Sequence, residues 1–586
     1  MKHLTTLALL LATTSLASAA SNESFIGQIG DRNTALVGQT NGNNKQNSVQ
    51  VGRRNTAVTA QETTTGTKTN ESNVLQIGER NGALVTQTGG NNRQNTVQGG
   101  FRNSAVTTQS GSQANSKLNT STTSQFGAFN NALVGQKDGN NTQNTLQIGV
   151  GNSAVTAQEK AGDKTNTSNT TQLGAFNGAL VTQTGGNNVQ NTLSVGAGNS
   201  AVTSQSGVQA NGRVNNSDIV QFGVGNAALA TQDGGNNDQG TLQIGARNVA
   251  VTGQVSNPYG GTNTATTAQI GVGNKALTVQ NSHGDASSSA NASLSGKLVI
   301  GQAYYPTLFP LVKLDPSTSN YGPVAVPYSV PAVAGGVNLS STVQIGKDNS
   351  AVTLQDANGD RTGLTLTESG TVKVGTTKAL GFGNPVYGTW TVTGDAPFAI
   401  ALNGVSNNAT TLQVGANNTA LTVQNGANLL PVANDSLVAQ LGVQNSAVVG
   451  QTNGLNAQAT LQAGYKNEAV TSQKTAPIAG TLNAAATVQA GARNKALTSQ
   501  IANPLSAGIN GSLIAQLGVG NTAVAAQSQS GSGTGLQPMI GANTQATVQV
   551  GYANSAFTSQ VASAAVQNTS VTAQFGSHNA AITVQK

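Results

Sequence analysis

The chain of 586 residues is polar, weakly charged and free of cysteine. Aromatic residues make up 3% of it and charged residues 8%, whereas glycine alone contributes 72 residues. These figures exclude a disulfide framework, a thiolate metal site and an ordinary core of large side chains. Composition alone also fits a disordered or prion-like tract. The order of the residues along the chain therefore has to distinguish a disordered chain from a folded one.

Residues 1–19 have the features of a secretory signal peptide. Lys2 supplies positive charge, Leu4 to Leu16 is apolar, and Ala17-Ser18-Ala19 fits signal peptidase, with cleavage before Ala20. The apolar run is too short for a membrane span, and no later stretch reaches ~18 apolar residues. We therefore expect a secreted, extracellular protein without a membrane span.

A unit of the form Gln-x-Gly-x-x-Asn-x-Ala-x-x-x-Gln recurs along the rest of the chain. It has nineteen copies, and the Gly, Asn, Ala and final Gln are kept in all of them, while Ser194 alone replaces the first Gln. The first positions are Gln28, Gln50, Gln76, Gln98, Gln125, Gln147, Gln172, Ser194, Gln221, Gln243, Gln269, Gln344, Gln413, Gln440, Gln462, Gln489, Gln516, Gln549 and Gln574. A repeat kept in register this often indicates a solenoid, a propeller or an array and argues against disorder.

Each copy has the pattern of two short strands around a tight corner. Apolar and polar residues alternate with period two on both sides of Gly149-Val150-Gly151, and glycine permits the positive φ that a corner requires. From Gln28 to Gln269 the spacing alternates between 22 and 25–27 residues, so that the true period is a double repeat. The fold predicted is all-β: a parallel β-solenoid of about nineteen strand-turn-strand rungs, with two insertions.

The unit resembles the curlin repeat of curli subunits, the bacterial extracellular amyloid fibres, whose pattern is Ser-x5-Gln-x-Gly-x-Gly-Asn-x-Ala-x3-Gln. The copy at 147–158 matches it position for position at Gln147, Gly149, Gly151, Asn152, Ala154 and Gln158. The leading Ser is often Asn here, as at Asn44 and Asn141. The second Gly is kept in only some copies, namely Gly151, Gly198, Gly225, Gly273 and Gly520. The chain is also much longer than a typical curli subunit, and only Ala20 to Gly27 precedes the repeats where such subunits carry an export segment.

The resemblance implies that the Gln, Asn and Ala side chains of each unit face a narrow interior, with the aliphatic side chains on the outer faces. In stacked rungs identical amides align into ladders that hydrogen-bond along the stack. We predict that these ladders hold the solenoid together and mediate self-assembly. The residues assigned to them are Gln28, Gly30, Asn33, Ala35, Gln39, Gln50, Asn55, Gln61, Gln76, Asn81, Gln87, Gln98, Asn103, Gln109, Gln147, Gly149, Asn152, Ala154, Gln158, Gln243, Asn248, Gln254, Gln489, Asn494, Gln500, Gln549, Asn554, Gln560, Gln574, Asn579 and Gln585.

Basic residues concentrate between the Gly and the Asn of the unit, at the predicted corner. They are Arg53, Arg54, Arg80, Arg102, Arg247, Lys466 and Arg493, in a chain of net charge +7. Two interpretations stay open: a basic edge that binds an anionic polysaccharide, a surface lipid or extracellular DNA, and a set of solubilising charges at exposed turns, which is the commoner role.

The predicted domains follow from the repeats. Residues 20–280 hold repeats 1–11, 281–343 a Pro/Tyr-rich insertion, 344–355 repeat 12, 356–412 a strand-rich insertion, and 413–586 repeats 13–19. Thr371 to Val374 and Thr389 to Thr393 have the composition of paired strands, whereas the prolines between Lys297 and Val337 exclude a central strand. The insertions are either a lobe that touches a partner or tolerated additions that pack on themselves.

Motifs for chemistry are weak. Residues 356–360 begin like a calcium loop, but Arg361 replaces the turn glycine and no acid follows at the twelfth place. We expect no catalytic residues, no metal site and no cofactor, and hence not an enzyme, because acids, bases and nucleophiles do not cluster along the sequence.

The repeats run from Gln28 to Gln585 without a capping repeat at either end, and uncapped strand edges template the addition of another chain. The function expected is that of a structural subunit of an extracellular curli-like amyloid fibre, serving adhesion and biofilm matrix. Its partners are further copies of itself, curli-type export and nucleation machinery, and a surface polysaccharide or host surface, with no specific nucleic acid. The alternative is a non-polymerising, secreted or surface-held β-solenoid adhesin, and a more distant third is a polysaccharide-active β-helix.

Overall fold

The computed structural model describes residues 21–63, 68–111, 118–160, 164–207, 213–300, 317–330, 332–362, 366–379, 382–394, 400–429, 432–476, 480–503, 506–529, 539–563 and 566–586. The predicted signal peptide lies outside these residues. The described residues contain no helix with the length and apolar character needed to span a membrane.

Every copy of the unit folds into a rung made of a strand, a corner and a second strand. In the sixth rung Asn141–Val150 forms the first strand, Gly151 and Asn152 turn the corner, and Ser153–Lys160 forms the second strand. Side chains on both strands alternate between buried and exposed or half-exposed positions, as the period-two pattern predicts. The prediction of an all-β parallel solenoid is confirmed.

The first strands of all nineteen rungs, numbered 1 to 19 in chain order, form one sheet. Each pairs in parallel and in register with the first strand of the next rung, as when Gln147 aligns with Gln172. The first strands are Asn22–Asp31, Asn43–Arg53, Thr69–Glu79, Asn92–Phe101, Asn119–Ala128, Asn141–Val150, Asn166–Ala175, Asn188–Ala197, Asn215–Val224, Asn237–Ala246, Asn263–Val272, Asn338–Lys347, Ser406–Ala416, Ala433–Val443, Leu455–Tyr465, Gly480–Ala492, Ser506–Val519, Met539–Tyr552 and Gln567–Ser577.

The second strands stack in the same way into a second sheet, in which Gln158 aligns with Gln183. They are Thr34–Thr40, Thr56–Thr63, Gly82–Gly89, Ser104–Ser110, Asn131–Lys137, Ser153–Lys160, Gly178–Gly185, Ser200–Gly207, Ala227–Gly234, Val249–Ser256, Lys275–Ser282, Ser350–Asp356, Thr419–Asn425, Ser446–Thr452, Glu468–Thr475, Lys495–Ala502, Thr522–Gln529, Ser555–Ala562 and Ala580–Gln585. The two sheets enclose a narrow interior between them.

The corner depends on a glycine that no other residue could replace. In all nineteen rungs the Gly of the unit has φ between 101° and 129°, which side chains rarely adopt. A Cβ added at Gly149 would lie 1.8 Å from the carbonyl oxygen of Gly174 in the next rung. The invariance of this glycine therefore reflects both its backbone conformation and the close approach of successive rungs.

The residue just before the corner Asn also has a left-handed backbone, with φ between 52° and 70° in every rung. Five rungs place glycine there, and the other fourteen carry residues such as Arg54 and Phe176. Because the side chain at this position points to solvent space, the cost is limited to roughly 1–2 kcal/mol of backbone strain per residue. This explains why fourteen rungs tolerate a residue other than glycine at this position.

Two further strand groups come from the insertions. Ser288–Ile300, Ser317–Val330, Leu366–Ala379 and Phe382–Gly394 form an antiparallel four-stranded sheet, called here the insertion sheet. Its central contact joins the two insertions, because Ser288–Ile300 pairs with Phe382–Gly394. Among the residues that the structure describes, Ser317–Val330 pairs on one side only, which places its prolines on an edge strand. Residues 301–316, with the first half of the Pro/Tyr-rich segment, lie outside the described residues.

The predicted pairing of the second insertion is present, with Thr371 opposite Thr389 in a hairpin. Three short strands, Asp360–Thr362, Ile400–Gly404 and Ala427–Asn428, form a small sheet at the base of the insertions. The association of two insertions separated by rung 12 was not predicted from the sequence.

We predict that Gly149→Ala lowers the free energy of unfolding by about 3 kcal/mol, since the new methyl group meets the backbone of rung 7 and the residue has a φ of 129°. Gly135→Ala is the matched control, because a Cβ there meets nothing within 4 Å. Denaturant unfolding of both variants checks the prediction, and equal stability of the two would contradict it.

Candidate self-assembly site

The first Gln of each unit forms an amide ladder inside the solenoid. Gln147 is fully buried, and its Nε2 donates to Oε1 of Gln172 at 2.8 Å and to the carbonyl oxygen of Asn131 at 3.0 Å. Oε1 of Gln147 in turn accepts from Nε2 of Gln125 at 2.8 Å. Both amide hydrogens and the carbonyl are thus satisfied, which burial of an amide requires.

The final Gln of each unit forms a second ladder of the same kind. Gln158 donates to Gln183 at 2.7 Å and to the carbonyl oxygen of Thr142 at 3.0 Å. This ladder runs from Gln39 to Gln585 without interruption and passes across the insertions through the bond from Gln280 to Gln355.

The corner Asn forms a third ladder whose donors point the other way. The backbone N and the Nδ2 of Asn152 both donate to Oδ1 of Asn130 at 3.1 Å. Nδ2 of Asn152 also donates to the carbonyl oxygen of Gly174 at 3.0 Å. The corner Asn therefore donates twice to the Asn side chain of the rung before it, whereas each Gln side chain donates to the Gln of the rung after it.

A fourth ladder was missed in the sequence analysis. The residue six positions before the first Gln is Asn in all nineteen rungs, and Nδ2 of each donates to Oδ1 of the preceding one, as Asn166 does to Asn141 at 3.1 Å. Comparison with the curlin pattern, which has Ser there, drew attention away from this invariance. The ladder consists of Asn22, Asn44, Asn70, Asn92, Asn119, Asn141, Asn166, Asn188, Asn215, Asn237, Asn263, Asn338, Asn407, Asn434, Asn456, Asn483, Asn510, Asn543 and Asn568.

The remaining inner positions are small or form local pairs. In rungs 1–10 the position four residues before the first Gln alternates between Ser and Gln. Oγ of Ser72 donates to Oε1 of Gln94 in the next rung at 2.9 Å, and Nε2 of Gln94 donates to Oγ1 of Thr96. This alternation is the structural counterpart of the double repeat.

The structure brings the predicted ladder residues together in these stacks. The Gln and Asn residues assigned from the sequence lie in the two Gln ladders and the corner Asn ladder, and inner alanines such as Ala57 and Ala154 are buried beside them. Gln28, Asn33 and Gln39 belong to rung 1, while Gln574, Asn579 and Gln585 belong to rung 19. Ladder membership is thus common to all rungs, and the end rungs differ in what they leave unpaired.

The two ends present complementary groups. In rung 19, Nε2 of Gln574 and of Gln585 each donate to a carbonyl within the protein, at 2.9 Å, and keep a second hydrogen with no further acceptor among the described residues. In rung 1 the Oε1 atoms of Gln28 and Gln39 accept no hydrogen bond among the described residues. The Asn ladders are reversed, since Asn568 and Asn579 leave Oδ1 open at rung 19 while Nδ2 of Asn22 and the backbone N of Asn33 are open at rung 1.

The aliphatic side chains on the outer faces cover one another along the stack, except at the ends. Ile582 in rung 19 is 79% exposed, whereas Phe557, its neighbour in rung 18, is 40% exposed. Leu36 in rung 1 is likewise 62% exposed. Each end therefore exposes apolar surface that a further rung would cover.

The segment that resembles the start of a calcium loop has another structure. Oδ1 of Asn358 accepts from the backbone N of His283 at 2.7 Å, and Asp360 begins a short strand. Among the described residues no three His, Cys, Asp or Glu side chains group in a way that could hold a metal ion.

Asp356 lies at the base of the insertions, aligned with Asn281 in rung 11 and Asn425 in rung 13. Burial raises the pKa of its carboxyl above the ordinary value of 3.8, although a backbone N–H of Asn358 and the nearby His283 act in the opposite direction. Among the described residues, Oδ1 of Asp356 and Oδ1 of Asn281 are buried without a hydrogen-bond partner. The Asp356 carboxylate thus occupies a position that carries an Asn amide in both neighbouring rungs.

We predict that Ser194→Gln raises the free energy of unfolding by about 1 kcal/mol. Ser194 Oγ donates to Gln221 at 3.1 Å, but Nε2 of Gln172 has to use the carbonyl of Asn177 instead of a Gln in the next rung. A Gln at this position would close the only gap in the first ladder. The reverse change two rungs earlier, Gln147→Ser, should lower the free energy of unfolding. Denaturant unfolding of both variants measures the two changes, and a neutral or destabilising Ser194→Gln would contradict the prediction.

We also predict that Asp356→Asn stabilises the protein at pH 7. Because the pKa of Asp356 is higher in the folded than in the unfolded chain, this carboxyl favours folding most at pH values below 3.8 and loses that contribution as the pH rises through its folded pKa. An amide carries no such penalty and can donate to Oδ1 of Asn281. Thermal unfolding at pH 4 and pH 7, with the exposed Asp435→Asn as control, should show a gain at pH 7 that shrinks at pH 4; a gain independent of pH would refute the titration of Asp356 as its cause.

No protein-family model fits the chain, and no curated protein matches it. The all-β parallel solenoid is therefore established from the structure alone. Four amide ladders and two open, complementary ends are the features from which a function can be inferred.

Proposed function

We propose that the protein is a structural subunit of an extracellular curli-like amyloid fibre, which grows by head-to-tail stacking of solenoids. In this proposal rung 19 of one copy pairs with rung 1 of the next. The fibre serves cell adhesion and the biofilm matrix, and curli-type machinery exports the chain and nucleates its growth. The resemblance of the repeat unit to the curlin repeat supports this assignment.

The observation that carries the proposal is the complementarity of the two ends. At a joint, Gln574 and Gln585 can donate to Gln28 and Gln39, while Asn568 and Asn579 can accept from Asn22 and Asn33. All four ladders then continue across the joint with the same donor direction that they have inside the solenoid. Two rung 1 ends would instead set Gln acceptors against Gln acceptors and Asn donors against Asn donors, so that the ladders favour head-to-tail growth.

The open backbone edges support the same mechanism. Among the described residues the first strand of rung 1 pairs only with that of rung 2, and the first strand of rung 19 only with that of rung 18. Such edges template the addition of a parallel strand at ~4.8 Å spacing. A joint would also cover Ile26, an inner residue of rung 1 that is 37% exposed.

A second candidate function is a non-polymerising adhesin, secreted or held at the surface. The insertion sheet favours it, because both insertions contribute strands to one folded unit beside the solenoid. In that case the insertion sheet would contact the target, and the solenoid would serve as a spacer.

We predict that Gln574→Glu combined with Gln585→Glu stops fibre growth. The double variant removes two Nε2 donors from rung 19 and sets carboxylate oxygens against the Oε1 atoms of Gln28 and Gln39. The mature wild-type chain should form unbranched fibres with a meridional reflection near ~4.7 Å, seen by electron microscopy and fibre diffraction. The variant should stay monomeric, and added in small amounts to growing wild-type fibres it should block one fibre end.

The control is Val584→Glu, which adds a carboxylate to the exposed outer face of the same rung. It should leave growth unchanged, because Val584 belongs to none of the ladders. Wild-type chains that stay as folded monomers would refute the fibre proposal and favour the adhesin. Fibres that grow equally fast from the double variant would refute the proposed joint.

A further inference from the structure

The first four rungs carry an unusual line of arginines at the corner. Arg32, Arg54, Arg80 and Arg102 occupy the same left-handed position in successive rungs. The backbone N of Arg54, Arg80 and Arg102 each donates to the rung before at 2.9–3.0 Å, so that the line follows the rung spacing of ~4.8 Å. With the adjacent Arg53, these residues are called here the arginine strip.

At a second position in the same rungs the charged residues alternate in sign instead of having the same sign. Five residues before the first Gln, rungs 1–4 carry Glu23, Lys45, Glu71 and Arg93, which alternate in sign. Lys45 lies 3.6 Å from Glu23, and Arg93 lies 3.4 Å from Glu71. Like charges aligned on neighbouring strands destabilise a sheet. The residues that alternate in sign avoid this repulsion, whereas the arginine strip places like charges on neighbouring rungs.

Neighbouring acids neutralise the strip only in part. Asp31 lies 4.0 Å from Arg32, and Glu79 lies 3.8 Å from Arg53 and 3.7 Å from Arg80. Five arginines against these two carboxylates leave a net charge of +3. The Arg32 and Arg53 side chains are 68% and 53% exposed, so they are accessible to a ligand.

Two arginines of the strip lie over aromatic rings, since the guanidinium of Arg80 lies 5.7 Å from the ring centroid of Phe101. The guanidinium of Arg102 lies 4.9 Å from the ring centroid of Phe101 and 5.7 Å from that of Phe129. The two rings meet edge to face at 5.5 Å. A guanidinium restrained in this way loses less freedom when a ligand binds.

We propose that the arginine strip binds a linear anionic polysaccharide that carries one carboxylate or sulfate per sugar. An extended sugar residue advances a glycan by about the length of one rung, so each anionic group can meet one arginine. Each strand of duplex DNA presents one phosphate per about 3.4 Å of helix axis, a spacing that falls out of step with the rungs. The strip lies along the side of the solenoid, so the inference does not depend on fibre formation.

The test measures binding of polygalacturonate to the mature full-length chain, wild type and variants. The double variant Arg54→Asn with Arg102→Asn should bind at least tenfold more weakly than the wild type. Added salt should weaken binding by the wild type. Asn is compatible with this backbone, since Asn417 occupies the same position in rung 13 with φ 55°. Arg247→Asn with Arg493→Asn is the matched control at corner positions outside the strip, and it should change binding less than twofold.

Methyl-esterified polygalacturonate and duplex DNA serve as comparison ligands. The esterified polymer keeps the sugar chain and lacks the charge, so it should not bind measurably. Equal loss in the two double variants, or equal binding of the esterified polymer, would overturn the proposal. Tighter, strip-dependent binding of duplex DNA would assign the strip to nucleic acid instead. Matching thermal unfolding midpoints of the two double variants ensure that a loss of binding reflects the strip.

Discussion

The structure depends on the requirement that a buried primary amide must have its donors and its acceptor paired. Gln50, Gln147 and Gln500 are fully buried. Burying a primary amide without hydrogen-bond partners costs roughly 2–7 kcal/mol. In this fold the partner is the same residue one rung away. Register and rung spacing therefore follow from the ladders, and a slip of one residue would turn every amide outward and every aliphatic side chain inward.

The ladders also dictate what else can lie inside. A Gln or Asn that spans a narrow interior leaves room only for Ala, Ser and Thr on most other inner positions. Where a larger residue lies inside, small residues pack against it: Ile219 packs with Ala230, and Ile514 packs with Ala525. The aliphatic side chains are left on the outer faces, half covered by their neighbours along the stack. The usual arrangement of an apolar core and a polar surface is thus inverted over much of the molecule.

The regular part of this fold was predictable because it is local and repeated. Period-two alternation predicts the strands, and the Gly149–Gly151 segment predicts the corner. The inward direction of the amides came from the curlin resemblance and not from the pattern, since either parity can be buried on physical grounds alone. The Asn141 ladder was visible in the sequence but was treated as a departure from a serine. The pairing of Ser288–Ile300 with Phe382–Gly394 was beyond reach, because a contact between two insertions leaves no periodic trace.

A core made of directional ladders also ends differently from an apolar core. Any apolar surface can close an apolar core, whereas an amide ladder is completed only by donors and acceptors in the matching order at the rung spacing. The direction persists across both insertions, since Asn338 donates to Asn263 over 75 residues and Asn407 to Asn338 over 69. The insertions thus interrupt none of the four ladders, and the gap in the first ladder lies elsewhere, at Ser194. Within the described chain, rung 1 offers the set of donors and acceptors that matches rung 19, and the proposed head-to-tail joint uses this match.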